Sequence, residues 1–164
     1  MPRPDGPLRI RPATLADAPT ILEFIRELAD YERLPHQMVA TEDGVRATLF
    51  GDRPAAEVLV ATLGIAPVGF ALFFHSYSTF LARRGLYLED LFVRPEARGR
   101  GVGRALLVEL AKVAVERDCG RVEWSVLDWN DPAIGFYRSL GAEPMSGWTV
   151  FRLTGNAIAR LAEG

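Results

Sequence analysis

The chain has 164 residues, of which 49% are hydrophobic, and a formal net charge of −2. This length suits one domain. The positively charged residues are spread along the chain, which argues against a nucleic-acid surface, because such a surface would show a basic cluster. No apolar run reaches the roughly 18 residues of a membrane span, residues 1–7 lack a signal-peptide core, and the single cysteine, Cys119, excludes internal disulfides and metal-site spacing. We therefore expect a soluble, cytoplasmic protein with no metal and with neither a membrane nor a nucleic acid as partner.

Hydrophobic periodicity and turn residues predict ten elements after residues 1–7, which are rich in proline and glycine and are expected to form a tail. In the first half of the chain they are a strand, two helices and two strands, at Leu8 to Arg11, Thr14 to about Glu32, Thr41 to about Phe50, Glu57 to Leu63 and Val68 to Ser76. In the second half a strand, a helix, a strand, a helix and a strand follow, at Tyr87 to Val93, Val102 to Arg117, Arg121 to Val126, Asp131 to Leu140 and about Thr149 to Leu153.

The junction after the predicted strand at Tyr87 is the most informative segment. The pattern Arg-x-x-Gly-x-Gly begins at Arg98 and leads directly into the helix that starts at Val102. A helix start presents unpaired N–H groups and the positive end of a dipole, and glycines let an anion approach them closely. The third glycine of a dinucleotide fingerprint is out of place, and the Gly-Lys-Ser/Thr of a nucleoside-triphosphate loop is missing. Taken alone, the pattern leaves an anion loop and a tight structural turn equally open.

Arg98, Gly101 and Gly103 resemble, position by position, the acyl-coenzyme A loop of the Gcn5-related N-acetyltransferases (GNAT). The order of the ten elements is the one expected of that fold. Further segments are similar to the diamine and thialysine N-acetyltransferase branch, at Ile10 to Thr14, Tyr31 and Glu32, Tyr77 to Phe80, Tyr87 to Asp90, and Leu127 to Ala142. The resemblance implies an α/β (α+β) GNAT acyltransferase fold, in which helices flank a mixed central sheet of six to seven strands. It also implies a single domain over residues 8–164 and acetyl-coenzyme A as co-substrate.

Two residues are candidates for proton transfer. A free alkylammonium has a pKa of about 10.4, so a base is needed at neutral pH. Glu89 lies in an apolar strand and suits this role, whereas Asp90 would face the other side of a regular strand unless a bulge brings both toward one amine. Either carboxyl could instead be a buried hydrogen-bonding anchor. Tyr137 lies on an apolar helix face typical of a core residue, but by resemblance it stands at the position of the family's general acid.

The remaining site residues follow from the resemblance. The coenzyme is expected to contact the end of the Tyr87 strand, the glycine loop and the start of the last helix, through Leu91, Phe92, Val93, Arg98, Gly99, Arg100, Gly101, Val102, Gly103, Arg104, Asn130, Asp131 and Pro132. An acidic pocket for a cationic amine is expected from Tyr31, Glu32, Glu89 and Asp90. Alternatives stay open: Arg98, Arg100, Arg104 and Glu32 could be solvated surface charges, and Asn130 could cap its helix.

The sequence thus predicts an acetyl-coenzyme A-dependent N-acetyltransferase that acts on a primary amine of a small cationic substrate. Ser78 and Ser146 stand where polyamine-acetylating relatives carry acids, which favours a thialysine-like amino acid over a diamine or polyamine such as spermidine. A non-catalytic acyl-coenzyme A-binding module would need neither Glu89 nor Tyr137, and acetylation of protein termini would require an open groove. A homodimer is expected by resemblance.

Overall fold

A five-stranded sheet frames the first of two units, Met1–Ser125, in the computed structural model, which describes residues 4–164. The strands lie side by side in chain order and are β1 (Leu8–Pro12), β2 (Glu57–Leu63), β3 (Ala66–Ser78), β4 (Arg83–Val93) and β5 (Val122–Trp124). Neighbouring strands are antiparallel except β4 and β5, which pair in parallel between Leu86 and Leu88. A parallel pair cannot be joined by a hairpin, so a helix must cross between these two strands.

Helices cover both faces of this sheet. Helices α1 (Ala18–Tyr31) and α2 (Glu42–Phe50) pack on one face, where Phe24 of α1 stacks on Phe70 of β3 with ring centroids 5.3 Å apart. The crossover helix α3 (Val102–Glu116) packs on the other face. Full burial of a large apolar side chain such as that of Phe24 contributes about 1.5–3 kcal/mol to the free energy of folding. The two cores therefore fix α1 and α3 on opposite faces of the same central strand, β3.

The second unit, Val126–Gly164, contains helices α4 (Asp131–Ser139) and α5 (Asn156–Ala162). Helix α4 has Pro132 in its first turn, where a missing N–H costs nothing, and it is followed by Gly141 with φ 89°. The carbonyl of Tyr137 accepts hydrogen bonds from the N–H groups of Leu140 and Ala142, which closes the helix end. Both boundaries of α4 therefore follow from local sequence signals.

Nine of the ten predicted elements are present, with ends that differ by a few residues, but the last predicted strand is wrong. Residues 149–153 form no strand among those described, and α5, which the sequence did not predict, follows them. The sheet accordingly has five strands and not six or seven. Alternation of apolar residues cannot by itself form a strand, because the backbone also needs a partner for its N–H and C=O groups. Val150 and Phe151 are 82% and 92% exposed, so they gain no burial that would stabilise pairing.

The predicted tail and the single domain are not decided by this fold. Residues 1–3 of the tail lie outside the described part, while the Pro7 carbonyl accepts a hydrogen bond from Gly64 N–H at 3.0 Å. The single domain over residues 8–164 stays a prediction. Among residues 4–164, none of the helices combines the length and the apolar character that crossing a membrane requires.

Candidate active site

Strand β4 carries an extra residue at Glu89. Leu88 pairs with Phe73 and Asp90 pairs with Leu72, so Glu89 has no opposite residue in the ladder between β3 and β4. Two residues of one strand that oppose a single step of the other form a β-bulge. The structure therefore contains a bulge at the point where the sequence analysis required one to bring both carboxyl groups to one side.

The bulge changes which way the side chains of β4 point. Leu88 and Leu91 both pack in the core on the α3 side, although residues three apart in a regular strand face opposite sides. Phe92 packs on the α1 side. Glu89 and Asp90, which lie between these residues, therefore both face the side of the sheet that α1 covers.

Three carboxyl groups interact on this side: Glu32, directly after α1, together with Glu89 and Asp90. Burial raises the pKa of Asp90 to about 7, and the charges of Glu89 and Glu32 add to the rise. Burial also raises the pKa of Glu32, with a smaller contribution from Glu89. Across residues 4–164, none of the three carboxyl groups has a lysine or arginine within ion-pair distance. The cluster therefore favours an incoming cation, and Asp90 can take up a proton near neutral pH.

The glycine loop follows β4 through a short turn at Pro95–Ala97. Gly99 and Gly101 have φ of 74° and 79°, in the left-handed region that favours glycine. A Cβ built on either residue would meet no atom within 4 Å, and one on Gly103 would come no closer than 3.8 Å to the Val93 side chain. The loop thus leaves open space before the N–H groups that begin α3, and this arrangement fits a phosphate group.

The three arginines of the loop region differ in their contacts. Arg98 donates from Nε to the Val93 carbonyl at 2.9 Å, and its guanidinium lies over the Tyr31 ring. Arg100 donates to the carbonyl of Pro4. Arg104 is exposed on α3. Arg98 therefore connects the loop to the end of α1, a link that nothing in the sequence pattern indicated because the two residues are far apart in the chain.

The end of β4 extends beyond the last residue of β5 with which it pairs. The last pair between β4 and β5 is Leu88 with Trp124, so β5 does not pair with Leu91, Phe92 or Val93. A strand edge of this kind offers N–H and C=O groups to an extended chain. These three residues are therefore suited to hold the arm of the coenzyme, as the resemblance implied.

The site residues expected in the second unit lie on and before α4. Asn130 is buried and immediately precedes the helix, and its carbonyl accepts from Ile134 N–H at 3.0 Å. Its side chain makes no capping hydrogen bond to α4, whose residues all belong to the described part. Asp131 and Pro132 open the helix, and Tyr137 is half-buried with its ring centroid 5.6 Å from that of Phe136. The assignment of these residues to one site with Glu89 stays a prediction.

Ser78 and Ser146 are the two positions at which the sequence predicted an effect on substrate selection. Ser78 is 2% exposed, and its hydroxyl accepts a hydrogen bond from Leu81 N–H at 3.2 Å in the turn between β3 and β4. Its observed role is to close that turn. Ser146 is exposed in the second unit.

Comparison with known proteins identifies the family. The sequence model of the Acetyltransferase (GNAT) family matches residues 21–142. The chain belongs to this family. GNAT acetyltransferases use acetyl-coenzyme A as co-substrate, so the predicted co-substrate, the family and the N-acetyltransferase activity are confirmed.

Individual relatives of this GNAT chain match over nearly their whole length. Thialysine N-epsilon-acetyltransferase from Bos taurus is 41% identical over 164 residues, which cover 93% of this chain and 96% of that protein. L-ornithine N5-acetyltransferase from Arabidopsis thaliana is 38% identical, with coverage of 92% and 86%. The solved structure of an integron cassette protein from V. cholerae superposes with a TM-score of 0.81 at 25% identity, covering 96% of this chain and 98% of that one.

Proposed function

We propose that this GNAT enzyme transfers the acetyl group of acetyl-coenzyme A to a primary amine on the side chain of a small cationic amino acid of the thialysine type. The observation that carries the proposal is the cluster of Glu32, Glu89 and Asp90, which has no lysine or arginine partner within the described residues. An ammonium group would compensate this negative charge. The names of the two sequence relatives support the assignment, since thialysine and ornithine both carry an amino group at the end of a short side chain.

The bulge gives the two carboxyl groups of β4 different environments and hence different tasks. Glu89 is exposed and can meet the substrate ammonium first. Asp90 is partly buried, and its pKa of about 7 makes it a better proton acceptor than a carboxylate at its ordinary pKa. We infer that the pair accepts the proton jointly, so an apparent pKa of the reaction belongs to both residues. From the sequence, the base was expected to be Glu89 alone, because the burial of Asp90 depends on the tertiary structure.

The loop and the end of β4 fit the coenzyme. The backbone at Gly99 and Gly101 and the first N–H groups of α3, on Val102, Gly103 and Arg104, would hold its pyrophosphate, while Arg98 and Arg100 supply positive charge nearby. Residues 91–93 and the start of α4, at Asn130, Asp131 and Pro132, would hold its arm. Bound there, acetyl-coenzyme A supplies a thioester whose carbonyl carbon the amine attacks and whose thiolate leaves. Tyr137, a phenol with an ordinary pKa of about 10, is proposed to protonate that thiolate.

A di- or polyamine is the second candidate substrate, and charge count makes it less favoured. The cluster contains three carboxyl groups, and Ser78 and Ser146 add no further negative charge. A long polyamine would therefore leave part of its positive charge without partners, and each missing exposed ion pair costs it about 0.2–1 kcal/mol. The enzyme is therefore expected to prefer the smaller amine and still to acetylate a polyamine at a lower kcat/KM.

A panel of amines tests the proposal directly. Thialysine, ornithine, lysine, putrescine and spermidine are each incubated with acetyl-coenzyme A, and thiol release is followed, with a reaction lacking amine as the control for hydrolysis. The highest kcat/KM is expected for thialysine. A higher kcat/KM for spermidine would overturn the substrate order, and tight coenzyme A binding without transfer to any amine would favour the non-catalytic module.

A homodimer and a cytoplasmic location are part of the same proposal. Trp148, Val150 and Phe151 are largely exposed and close together in the chain, and contiguous exposed apolar residues often mark an interaction surface. The resemblance implies that the partner is a second copy of the chain. Sedimentation equilibrium should give twice the chain mass of 18.1 kDa, and Phe151→Glu should shift it toward the monomer. A monomer at all concentrations in the parent would contradict the dimer.

A further inference from the structure

Arg98 is held in one geometry by three contacts. Its Nε donates to the Val93 carbonyl at 2.9 Å, which fixes the edge of the guanidinium at the end of β4. Its Cζ lies 4.8 Å from the centroid of the Tyr31 ring and 5.8 Å from that of Phe92. A guanidinium can contact an aromatic face while its edge donates hydrogen bonds, which an ammonium cannot do.

Tyr31 connects this contact to the acidic cluster. It is the last residue of α1 and directly precedes Glu32, whose pKa is raised by burial and by the charge of Glu89. The ring and the carboxyl group leave the same helix end from consecutive residues, so displacement of one disturbs the other. Arg98 thus acts on the helix end that forms one side of the candidate amine pocket.

The guanidinium of Arg98 also keeps free hydrogen-bonding capacity. Of its five N–H donors, only the one on Nε is used, and over residues 4–164 the two Nη groups make neither a hydrogen bond nor an ion pair. Arg98 opens the glycine loop, where an anion is expected. An anion that binds the Nη groups would hold the guanidinium more firmly against Tyr31, because the exposed side chain otherwise depends on a single hydrogen bond and its ring contacts.

We propose that Arg98 is a positioning residue that couples the coenzyme site to the amine site through Tyr31. This inference rests on the function proposed above. Occupation of the loop by coenzyme A tightens amine binding, because Tyr31 and Glu32 are then held in place. By thermodynamic linkage, the amine tightens coenzyme A binding by the same factor.

Calorimetric titration of thialysine into the parent, alone and with saturating coenzyme A, measures this coupling without turnover. The parent should bind thialysine about three- to tenfold more tightly when coenzyme A is present, the range that one cation–π contact can supply. Arg98→Lys keeps the charge but loses the planar contact, so the factor should fall to about one. In steady-state assays at saturating acetyl-coenzyme A, this variant should raise the KM for the amine by a larger factor than it lowers kcat.

Variants of Tyr31 test whether the coupling passes through the ring. Tyr31→Phe keeps the ring and should retain the coupling, whereas Tyr31→Leu should abolish it. The double variant Arg98→Lys/Tyr31→Leu should behave like either single one, since both remove the same interaction. Effects that multiply in the double variant would overturn the proposal.

Arg94→Lys is the matched control. Arg94 also lies over an aromatic ring of α1, 4.9 Å from the Phe24 centroid, but its guanidinium pairs with Glu23 and Glu27 and not with the loop. This variant should lower the unfolding temperature and leave the coupling factor unchanged. The proposal is overturned if the coupling survives Arg98→Lys, or if Arg94→Lys removes the coupling to the same extent. It is also overturned if the parent acetylates thialysine but binds it equally well with and without coenzyme A. Failure of the proposed function would look different, because the parent would then acetylate no amine.

Discussion

Glu89 and Asp90 are consecutive residues, and their carboxyl groups lie on the same side of the sheet because Glu89 is the unpaired residue of the bulge in β4. A regular strand would place them on opposite sides. Burial raises the pKa of Asp90, and the charges of Glu89 and Glu32, which the bulge brings to the same side, add to the rise. A change of one residue in strand register thus converts two adjacent acids into a site that titrates near neutral pH.

The pH dependence of the reaction should report this site. Because Asp90 must be ionised to accept a proton, kcat/KM of the parent should rise with pH through an apparent pKa near 7. Asp90→Asn should lower kcat/KM by about 10²-fold and remove that rising limb. Initial rates from pH 5.5 to 9, measured with both proteins, decide the point. A rising limb that persists in the variant would exclude Asp90 as the titrating group.

The same group should make stability depend on pH. The pKa of Asp90 rises from 3.8 to about 7 on folding, so the proton is held more tightly in the folded state. The resulting stability is fully present below pH 3.8 and is lost as the pH rises through 7. The rise sets an upper bound of about 4 kcal/mol, which structural relaxation and water reduce. Urea unfolding should therefore show Asp90→Asn gaining stability over the parent from pH 5 to pH 8, and a gap that is constant across this range would contradict the assignment.

Glu89→Gln should change both the rate and the position of the pH profile. Removal of the Glu89 charge lowers the pKa of Asp90 toward its ordinary value, so the rising limb should move to lower pH. The rate on the high-pH plateau should also fall, because one member of the proton-accepting pair is missing. Glu116→Gln is a suitable control, since Glu116 is exposed at the end of α3 on the other face of the sheet. An unshifted profile in Glu89→Gln would remove Glu89 from the proton-accepting pair.

Substitution of two loop glycines should affect coenzyme A binding and the free energy of unfolding to different extents. Gly103 lies within α3 and has room for a methyl group, so Gly103→Ala should leave the free energy of unfolding unchanged or raise it by up to about 1 kcal/mol. It should nevertheless weaken coenzyme A binding by about tenfold or more, because the methyl group keeps the phosphate from the N–H groups. Gly101→Ala should in addition lower stability by about 1–2 kcal/mol, since its φ is 79°. Calorimetry and urea unfolding measure the two effects, and unimpaired binding in a folded Gly103→Ala would assign the glycine to local structure alone.

Tyr137→Phe tests the proton donor. The substitution keeps the half-buried ring and removes the hydroxyl, so turnover should fall by roughly 10²-fold while the Kd of coenzyme A changes little. Phe136→Leu, one residue earlier in α4, is the comparison for a packing change in the same helix. Turnover equal to that of the parent in Tyr137→Phe would make Tyr137 a packing residue.

The sequence predicted correctly what depends on neighbours in the chain. Helix α2 begins where Thr41 accepts a hydrogen bond from Gly44 N–H at 3.1 Å, and α3 begins directly after the glycine loop. Capping, turn glycines and hydrophobic periodicity act over a few residues, so a sequence is enough to locate them. The family resemblance rests on the same local motifs, which is why it was visible before the fold.

What only the tertiary structure decided depends on contacts between distant segments. The apolar pattern at Thr149 to Leu153 did not become a strand, because pairing needs a second backbone as well as a suitable sequence. The bulge at Glu89 arises from register with β3, and the pKa of Asp90 arises from burial and from Glu89 and Glu32. The contact of Arg98 with Tyr31 joins two elements that are far apart in the chain. The sequence by itself therefore determined which residue types the site contains. The packing of α1 beside β4 determined that the carboxyl groups of Glu32, Glu89 and Asp90 interact and that Arg98 contacts Tyr31.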